Sequence, residues 1–297
     1  MIGDLRMQYV IFGASGFIGS YLYRRMEEDR KNVIGTHYKK KISNDYIEYD
    51  ILKDHMPNEV CQIQDKDRTA IICIAQSNIG YCYENQSQAY NINVLKTKEL
   101  IHELAERGFQ VIFFSTDNVF DGSQGNYTEK SKTNGINQYG KMKAEVEDYI
   151  LENEPGACIF RISKVVSSEI GKQNILSELE QQAQGGCVWC IRGNRLSFVA
   201  MEDIYQACLI AGQKRLAGLY QVAGDKDYSR LEFAELFYHQ AGIRSVNLAE
   251  CCAHELHLKD ERPLDISMSN MKFKTETGYS FTPMDIVIEE YLKNKQS

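Results

Sequence analysis

Apolar and polar positions along the first half of the chain alternate between short hydrophobic runs and longer amphipathic stretches. Gln8-Tyr-Val-Ile-Phe12 is an apolar run that stops at glycine, and Gly19 to Glu28 follows with helical spacing. Asn32 to Thr36 reads as a second strand. Ala70 to Ala75 and Val111 to Phe114 are continuous apolar runs, the form taken by parallel strands covered on both faces. Helical spacing fills Gln86 to Arg107 and Tyr139 to Leu151, and Ala157 to Phe160 is a further strand. This β-α-β alternation predicts an α/β fold with a doubly wound parallel sheet over residues 1–164. From about Val165 the rhythm loosens. Helical stretches (Asn174 to Gln184, Met201 to Gly212, Ser229 to Ala241) mix with short strands such as Leu219-Tyr-Gln-Val222. A smaller C-terminal α/β lobe over residues 165–297 is expected, with a soft boundary because later segments can return to the first domain.

Composition narrows the class. With 34 basic and 41 acidic side chains the net charge is −7, and 43% of residues are apolar. An acidic chain without a long basic block is a poor partner for nucleic acid or an anionic membrane surface. Thr69 to Tyr83, an uncharged stretch, carries Gln76, Ser77, Asn78 and Gly80 and is too polar to span a bilayer. Asp4 and Arg6 lead straight into the first strand without a small-residue cleavage site. The nine cysteines are scattered through apolar runs (Cys73, Cys158, Cys208), which fits reduced thiols in a cytoplasm. Cys187-Val-Trp-Cys190 lies in a strand-like setting without a second pair at zinc spacing, so it reads as coincidence and no metal site is assigned.

Candidate chemistry sits at three places. Gly13-Ala-Ser-Gly16-Phe-Ile-Gly19 joins the first strand to the first helix, where glycines permit close backbone approach and a helix N-terminus offers N–H groups to a pyrophosphate. The second strand ends in Thr36-His37-Tyr-Lys39-Lys40-Lys41 without an acid before Asp45. A basic residue there accommodates a 2′-phosphate, so NADPH is favoured over NADH; a solvated lysine run is the alternative. Asp50-Ile51 is placed to approach an adenine. Ser115-Thr116-Asp117-Asn118 follows a buried strand at the edge where open α/β sheets bind ligands. Twenty-three residues after Thr116, Tyr139 and Lys143 form a Y-x-x-x-K on a helical segment and share one face.

Taken together these motifs resemble the extended short-chain dehydrogenase/reductases, and within them the dTDP-4-dehydrorhamnose reductase family. The resemblance runs through Gly13 to Gly19, Asn93-Val-Leu-Lys-Thr97, Ser115-Thr-Asp-Asn-Val-Phe-Asp-Gly122, Tyr127-Thr-Glu129, Tyr139-Gly-Lys-Met-Lys143 and Arg262-Pro-Leu-Asp265. It implies a Rossmann domain with a substrate lobe and a cytoplasmic oxidoreductase that reduces a ketone on a nucleotide sugar, as in deoxysugar biosynthesis. Thr116, Tyr139 and Lys143 are then the catalytic set, with Tyr139 giving the proton. Residues expected at the cofactor are Gly13, Ser15, Gly16, Phe17, Ile18, Gly19, His37, Lys39, Lys40, Asp50, Ile51, Ala75, Ser115, Tyr139, Lys143 and Ser163. Those expected at the substrate are Gln76, Asn78, Asp117, Asn118, Lys164, Asn174 and Arg262, the last on the sugar nucleotide's phosphates. A strand-end cap is the alternative for Thr116, and a surface arginine beside a turn proline for Arg262. Asn93 either bonds within the site or anchors its own helix.

Departures from the family pattern bear on the substrate. Asn118 replaces the usual tyrosine, Lys164 stands where a tryptophan is common, and Ala75-Gln-Ser-Asn78 replaces a small-residue run. Two lost aromatics and a gained lysine suggest a smaller or more polar substrate, and an anionic group on it would be expected at Lys164. Asn118 also argues against dehydratase chemistry, since an amide takes no proton at neutral pH. Two alternatives stand beside the reductase. One is a non-catalytic NADP-binding regulatory subunit, because the same subfamily resembles the regulatory subunit of methionine adenosyltransferase; the other is a nucleotide-sugar epimerase. A homodimer is the default assembly.

Overall fold

The computed structural model describes residues 7–39, 46–64, 66–171, 174–256 and 258–296. The early apolar runs become strands β1 (Gln8–Phe12), β2 (Asn32–His37), β3 (Ile47–Glu48), β4 (Arg68–Ile72), β5 (Gln110–Thr116) and β6 (Cys158–Ile162). Together with the later strand Gly218–Val222 they form a seven-stranded sheet in the order Gly218–Val222, β6, β5, β4, β1, β2, β3. β1 pairs in parallel with both β2 and β4, and β4 with β5, so the strand order turns back at β1. Every residue of β1 and β5 is buried, as continuous apolar runs covered on both faces require.

By its internal contacts the chain divides into two units. One comprises Met1–Ser115, Lys141–Phe160 and Tyr205–Leu219; the other comprises Thr116–Gly140, Arg161–Ile204 and Tyr220–Ser297. The two units therefore interleave along the sequence instead of meeting at a single boundary near residue 165. The strand expected in the smaller lobe, Leu219 to Val222, is instead an edge strand of the central sheet beside β6. A short apolar strand leaves its own N–H and C=O groups unpaired, and a sheet edge satisfies them.

In the first unit the core is built from Tyr9, Val10, Ile11 and Phe12 of β1, Leu22 and Met26 of helix α1 (Phe17–Glu28), Ile112 and Phe113 of β5, and Val146 and Ile150. The run Ala70 to Ala75 stays in the strand only as far as Ile72, although the Cys73 N–H still reaches the Phe12 carbonyl at 2.8 Å. The long helix expected from Gln86 to Arg107 is interrupted: Gln86–Tyr90 and Thr97–Glu106 are α-helical, and Asn91–Lys96 between them is a π-turn. Such insertions widen a helix locally and turn one side chain out of register. Asn93 lies within this turn and is buried.

The second unit has its own apolar core, in which Ile175, Leu176, Leu179, Phe198, Phe233, Phe237, Ile288 and Tyr291 are fully buried. One flank is a parallel pair of strands, Cys187–Ile191 with Asn247–Cys251. Cys187 and Cys190 lie three apart on that strand and point to opposite faces, so they do not converge on one ligand. Among the described residues no helix is long and apolar enough to cross a membrane.

Candidate active site

The glycine loop carries two kinds of glycine. Gly13 has φ +87° and its N–H donates to Thr36 Oγ1 at 3.0 Å, while the Ala14 N–H donates to the Thr36 carbonyl at 2.8 Å. A Cβ on Gly19 would lie 2.3 Å from the Gly13 carbonyl oxygen. The fold itself therefore demands Gly13 and Gly19. Gly16 differs: its φ is −80°, it is exposed, and its Cβ would meet only the Gly13 oxygen at an ordinary 3.4 Å. As N-cap of α1 it also supplies no side-chain acceptor for the first turn, where Phe17, Ile18 and Gly19 present their N–H groups, with Ser15 half-buried beside them. A bare helix N-terminus beside an exposed glycine fits a pyrophosphate.

Around the end of β2 the picture is mixed. His37 is buried and its Nδ1 has no hydrogen-bond partner. The Lys39 ammonium lies 5.0 Å over the Tyr38 ring, and both side chains are exposed. Lys40, also expected at the cofactor, lies outside the described residues. Asp50 holds its own turn: Oδ1 accepts from the Leu52 N–H at 3.0 Å and Oδ2 pairs with Lys53 at 3.2 Å, with Ile51 buried beside it. Beyond β4, Ala75 leads into Gln76, whose N–H donates to Asn93 Oδ1 at 2.8 Å and whose carbonyl accepts from Asn93 Nδ2 at 2.9 Å. Asn93 thus clamps the Gln76 backbone from the π-turn. Asn78 caps the helix Ile79–Glu84 by accepting from the Tyr81 N–H at 2.8 Å.

At the end of β5 a polar network begins. Thr116 Oγ1 donates to Asp117 Oδ1 at 3.1 Å and accepts from the Asn118 N–H at 3.2 Å, so it does cap the turn that follows the strand. Asp117, expected at the substrate, is 4% exposed and receives Asn118 Nδ2 at 2.9 Å and Ser163 Oγ at 2.9 Å as well. Burial pushes its carboxyl up to about 6 despite these donors. Its geometry is that of an organiser of Thr116, Asn118 and Ser163. Ser115 Oγ is buried without a hydrogen-bond partner.

The helix Gln138–Asn153 is tied to this network by residues the motifs did not reveal. Asn137 Nδ2 donates to Asn118 Oδ1 at 2.9 Å, and Asn137 Oδ1 accepts from the Gly140 N–H at 2.8 Å. Asp260 Oδ2 accepts from the Gln138 N–H at 3.0 Å. Gly140 presses on the Asn118 carbonyl so closely that a Cβ there would sit 1.9 Å from its oxygen. Tyr139, half-buried, is thereby fixed between two residues whose N–H groups are capped. An asparagine directly before an amphipathic helix is an N-cap signal that sequence alone offers, but nothing local announces its second bond to Asn118.

One turn further on, Lys143 is 3% exposed, donates to the Phe114 carbonyl at 2.7 Å and lies 4.3 Å over the Phe113 ring. Burial lowers its ammonium to about 8, partly opposed by Glu147. Of the remaining candidates, Lys164 is half-buried. Asn174 is fully buried; it caps the helix Ile175–Ala183 and donates to the Glu169 carbonyl at 2.8 Å. That occupation removes it from the substrate set. Arg262 Nη1 donates to the carbonyls of Asp260 and Glu261 at 3.1 and 3.3 Å, and its other N–H groups have no partner among the described residues.

Comparison with known proteins gives a consistent picture. The family model of the RmlD substrate binding domain matches residues 7–297. A curated relative, methionine adenosyltransferase 2 subunit beta of Xenopus tropicalis, is 33% identical over 234 residues, 75% of this chain and 69% of that protein. Among solved structures, a dTDP-4-dehydrorhamnose reductase of Clostridium acetobutylicum superposes with TM-score 0.85 at 21% identity, covering 98% of this chain and 100% of that one. The dTDP-4-dehydrorhamnose reductase of Bacillus anthracis, solved with NADP, gives 0.83 at 19%, covering 97% and 99%. At these identities the two structures establish the fold.

Three outcomes follow from this geometry. Gly16→Ala should leave thermal stability within about 1 kcal/mol of wild type yet abolish dinucleotide binding, whereas Gly19→Ala should destabilise by about 1–3 kcal/mol; calorimetry with NADPH titration checks both, and equal losses of stability would refute the distinction. Asn137→Ala removes a cap and leaves the side-chain amide oxygen of Asn118 without its donor, so a loss of about 2–4 kcal/mol is expected in urea unfolding. Lys143 has a folded-state pKa below its unfolded one, so the unfolded chain binds the proton more tightly and stability rises as pH climbs from about 8 to above 10. Wild type should therefore gain about 3 kcal/mol on Lys143→Met over that window; parallel curves would show that burial does not penalise the charge.

Proposed function

The chain belongs to the RmlD substrate binding domain family, and on that premise we propose that it is an NADPH-dependent reductase of a ketone carried by a nucleotide sugar, a 4-keto-6-deoxy sugar in the first instance. The observation that carries this reading is Lys143: an ammonium buried to 3% exposure, one helical turn from Tyr139, on a helix whose start is clamped at both neighbours of that tyrosine. Packing alone gives no reason to bury a lysine there, since an apolar side chain would avoid the desolvation cost.

With its pyrophosphate held at the glycine loop, a bound NADPH would supply the hydride. The chain's own residues do the rest. Tyr139 donates its hydroxyl proton to the oxygen of the carbonyl as negative charge develops. A phenol ordinarily titrates near about 10, so a proton donor working near neutrality needs a cation close by, and Lys143 remains mainly ammonium at pH 7 with its value at about 8. Its contact with the Phe114 carbonyl uses one N–H and leaves the others for ribose hydroxyls. Thr116, held in place by Asn118, would turn its O–H from Asp117 to donate to the carbonyl oxygen of the substrate. Arg262, anchored by one nitrogen, keeps a donor fork for the nucleotide phosphates. Lys39 at the end of β2 favours the 2′-phosphate of NADPH. All nine cysteines are free, which suits the reducing cytoplasm, and a homodimer is the assembly we expect.

A second reading is favoured by the curated relative, which is named as a subunit of methionine adenosyltransferase. On that reading the chain binds the dinucleotide and a larger synthetase without turnover. NADPH oxidation against a panel of 4-keto nucleotide sugars separates the two. Turnover on a panel member, lowered about 10²–10⁴-fold by Tyr139→Phe, is the expected result. Tight NADPH binding with silence across the panel would move the assignment to the regulatory subunit.

A further inference from the structure

The unit that holds Thr116 also holds a lysine, Lys164, whose ammonium is bonded to no carboxylate among the described residues. Lys164 directly follows Ser163, whose hydroxyl donates to Asp117 Oδ2 at 2.9 Å, and Asp117 in turn accepts from Thr116 Oγ1 at 3.1 Å. Its backbone is pinned: the carbonyl accepts from the Val199 N–H at 3.1 Å, and Val165–Val166 pair in parallel with Val199–Ala200. Its side chain is half-buried, yet among the described residues the ammonium makes neither a hydrogen bond nor an ion pair.

The charges facing it are Glu178, Arg230 and Asp117. Glu178 is already engaged by Arg230 Nη2 at 3.6 Å, and Asp117 is enclosed by its own donors. Burial pulls the Lys164 ammonium below its ordinary value, as expected of a cation short of compensation. Arg230 takes up Glu178 and Asp117 is held by neutral donors, so neither carboxylate is bonded to the Lys164 ammonium. With both carboxylates nearby, a monoanion is opposed less than a doubly charged phosphate. Burying a long, flexible ammonium without a partner is unfavourable unless a ligand completes it.

We propose that Lys164 binds a carboxylate on the substrate, so that the carbonyl compound handled beside Thr116 is a sugar acid, not a neutral deoxysugar. This rests on the nucleotide-sugar reductase reading above and replaces its 6-deoxy sugar with a keto sugar that bears a carboxylate. Lys164 acts in recognition and takes no part in proton or hydride transfer.

The test is a binding comparison, independent of turnover. Isothermal titration of the NADPH-loaded protein with UDP- and dTDP-linked glucose and glucuronic acid should show the glucuronic acid forms bound roughly ten- to a hundredfold tighter, the worth of one charge-assisted hydrogen bond. Lys164→Met should level the pair while keeping or raising the melting temperature, and Lys164→Arg should retain part of the preference. Equal affinity of wild type for the two sugars overturns the proposal on its own, whatever the variants do. A preference that survives in Lys164→Met assigns the carboxylate to another residue and overturns it too. Failure of every nucleotide sugar to bind, with NADPH still binding, overturns the nucleotide-sugar reading together with the inference built on it.

Discussion

The contact on which the site depends is the packing of Gly140 against the Asn118 carbonyl. No other residue fits there, since a Cβ would come within 1.9 Å of that oxygen. The Asn137 carboxamide closes the same junction with one bond to Asn118 and one to the Gly140 N–H. Two consequences follow. The first turn of the Gln138–Asn153 helix is seated on the turn after β5, and Tyr139 inherits a fixed position relative to Thr116 without either side chain holding the other. Because the Asn118 amide also donates to Thr116 and Asp117, one displacement at Asn137 would disturb the hydroxyl and the phenol together.

Around this junction the chain accepts a series of unfavourable burials. Asp117 is enclosed at 4% exposure with its carboxyl pushed up to about 6, and Lys143 is enclosed at 3% with its ammonium drawn down to about 8. Each is satisfied by hydrogen bonds, yet well-packed apolar residues of similar volume would serve stability at least as well. Perturbed titratable groups of this kind are enriched at functional sites, which supports the proposed reading. The same logic separates Lys143 from Lys164: the first has a carbonyl and an aromatic face as partners, and the second has none among the described residues.

Much of this was legible in the sequence because the signals are local. Apolar runs of four to six residues set β1, β4 and β5, and the glycine loop and the Tyr139–Lys143 spacing each lie within one supersecondary unit. What escaped is what depends on distant partners. Asp260 caps a helix 122 residues earlier in the chain, and nothing around either residue declares it. The return of Gly218–Val222 to the sheet edge is a choice among open edges, which a period-2 pattern does not encode. Asn93 sits in a π-turn that its own sequence does not mark, and Asn174, a polar residue at a helix start, proved to serve that helix, the role its position alone would favour.

The glycines show how structure separates two reasons for one residue type. Gly13 needs its left-handed φ and Gly19 needs the space, so their presence says only that the turn is tight. Gly16 satisfies neither condition, and the fold would accept alanine there at little cost. Its bare surface lies at the positive end of a twelve-residue helix in a chain of net charge −7, where long-range electrostatics alone would repel an anion. An anionic ligand must therefore be captured by short-range, oriented donors, and a methyl group at Gly16 would stand in the way of those donors. The argument for a dinucleotide thus rests on the glycine that folding leaves unexplained.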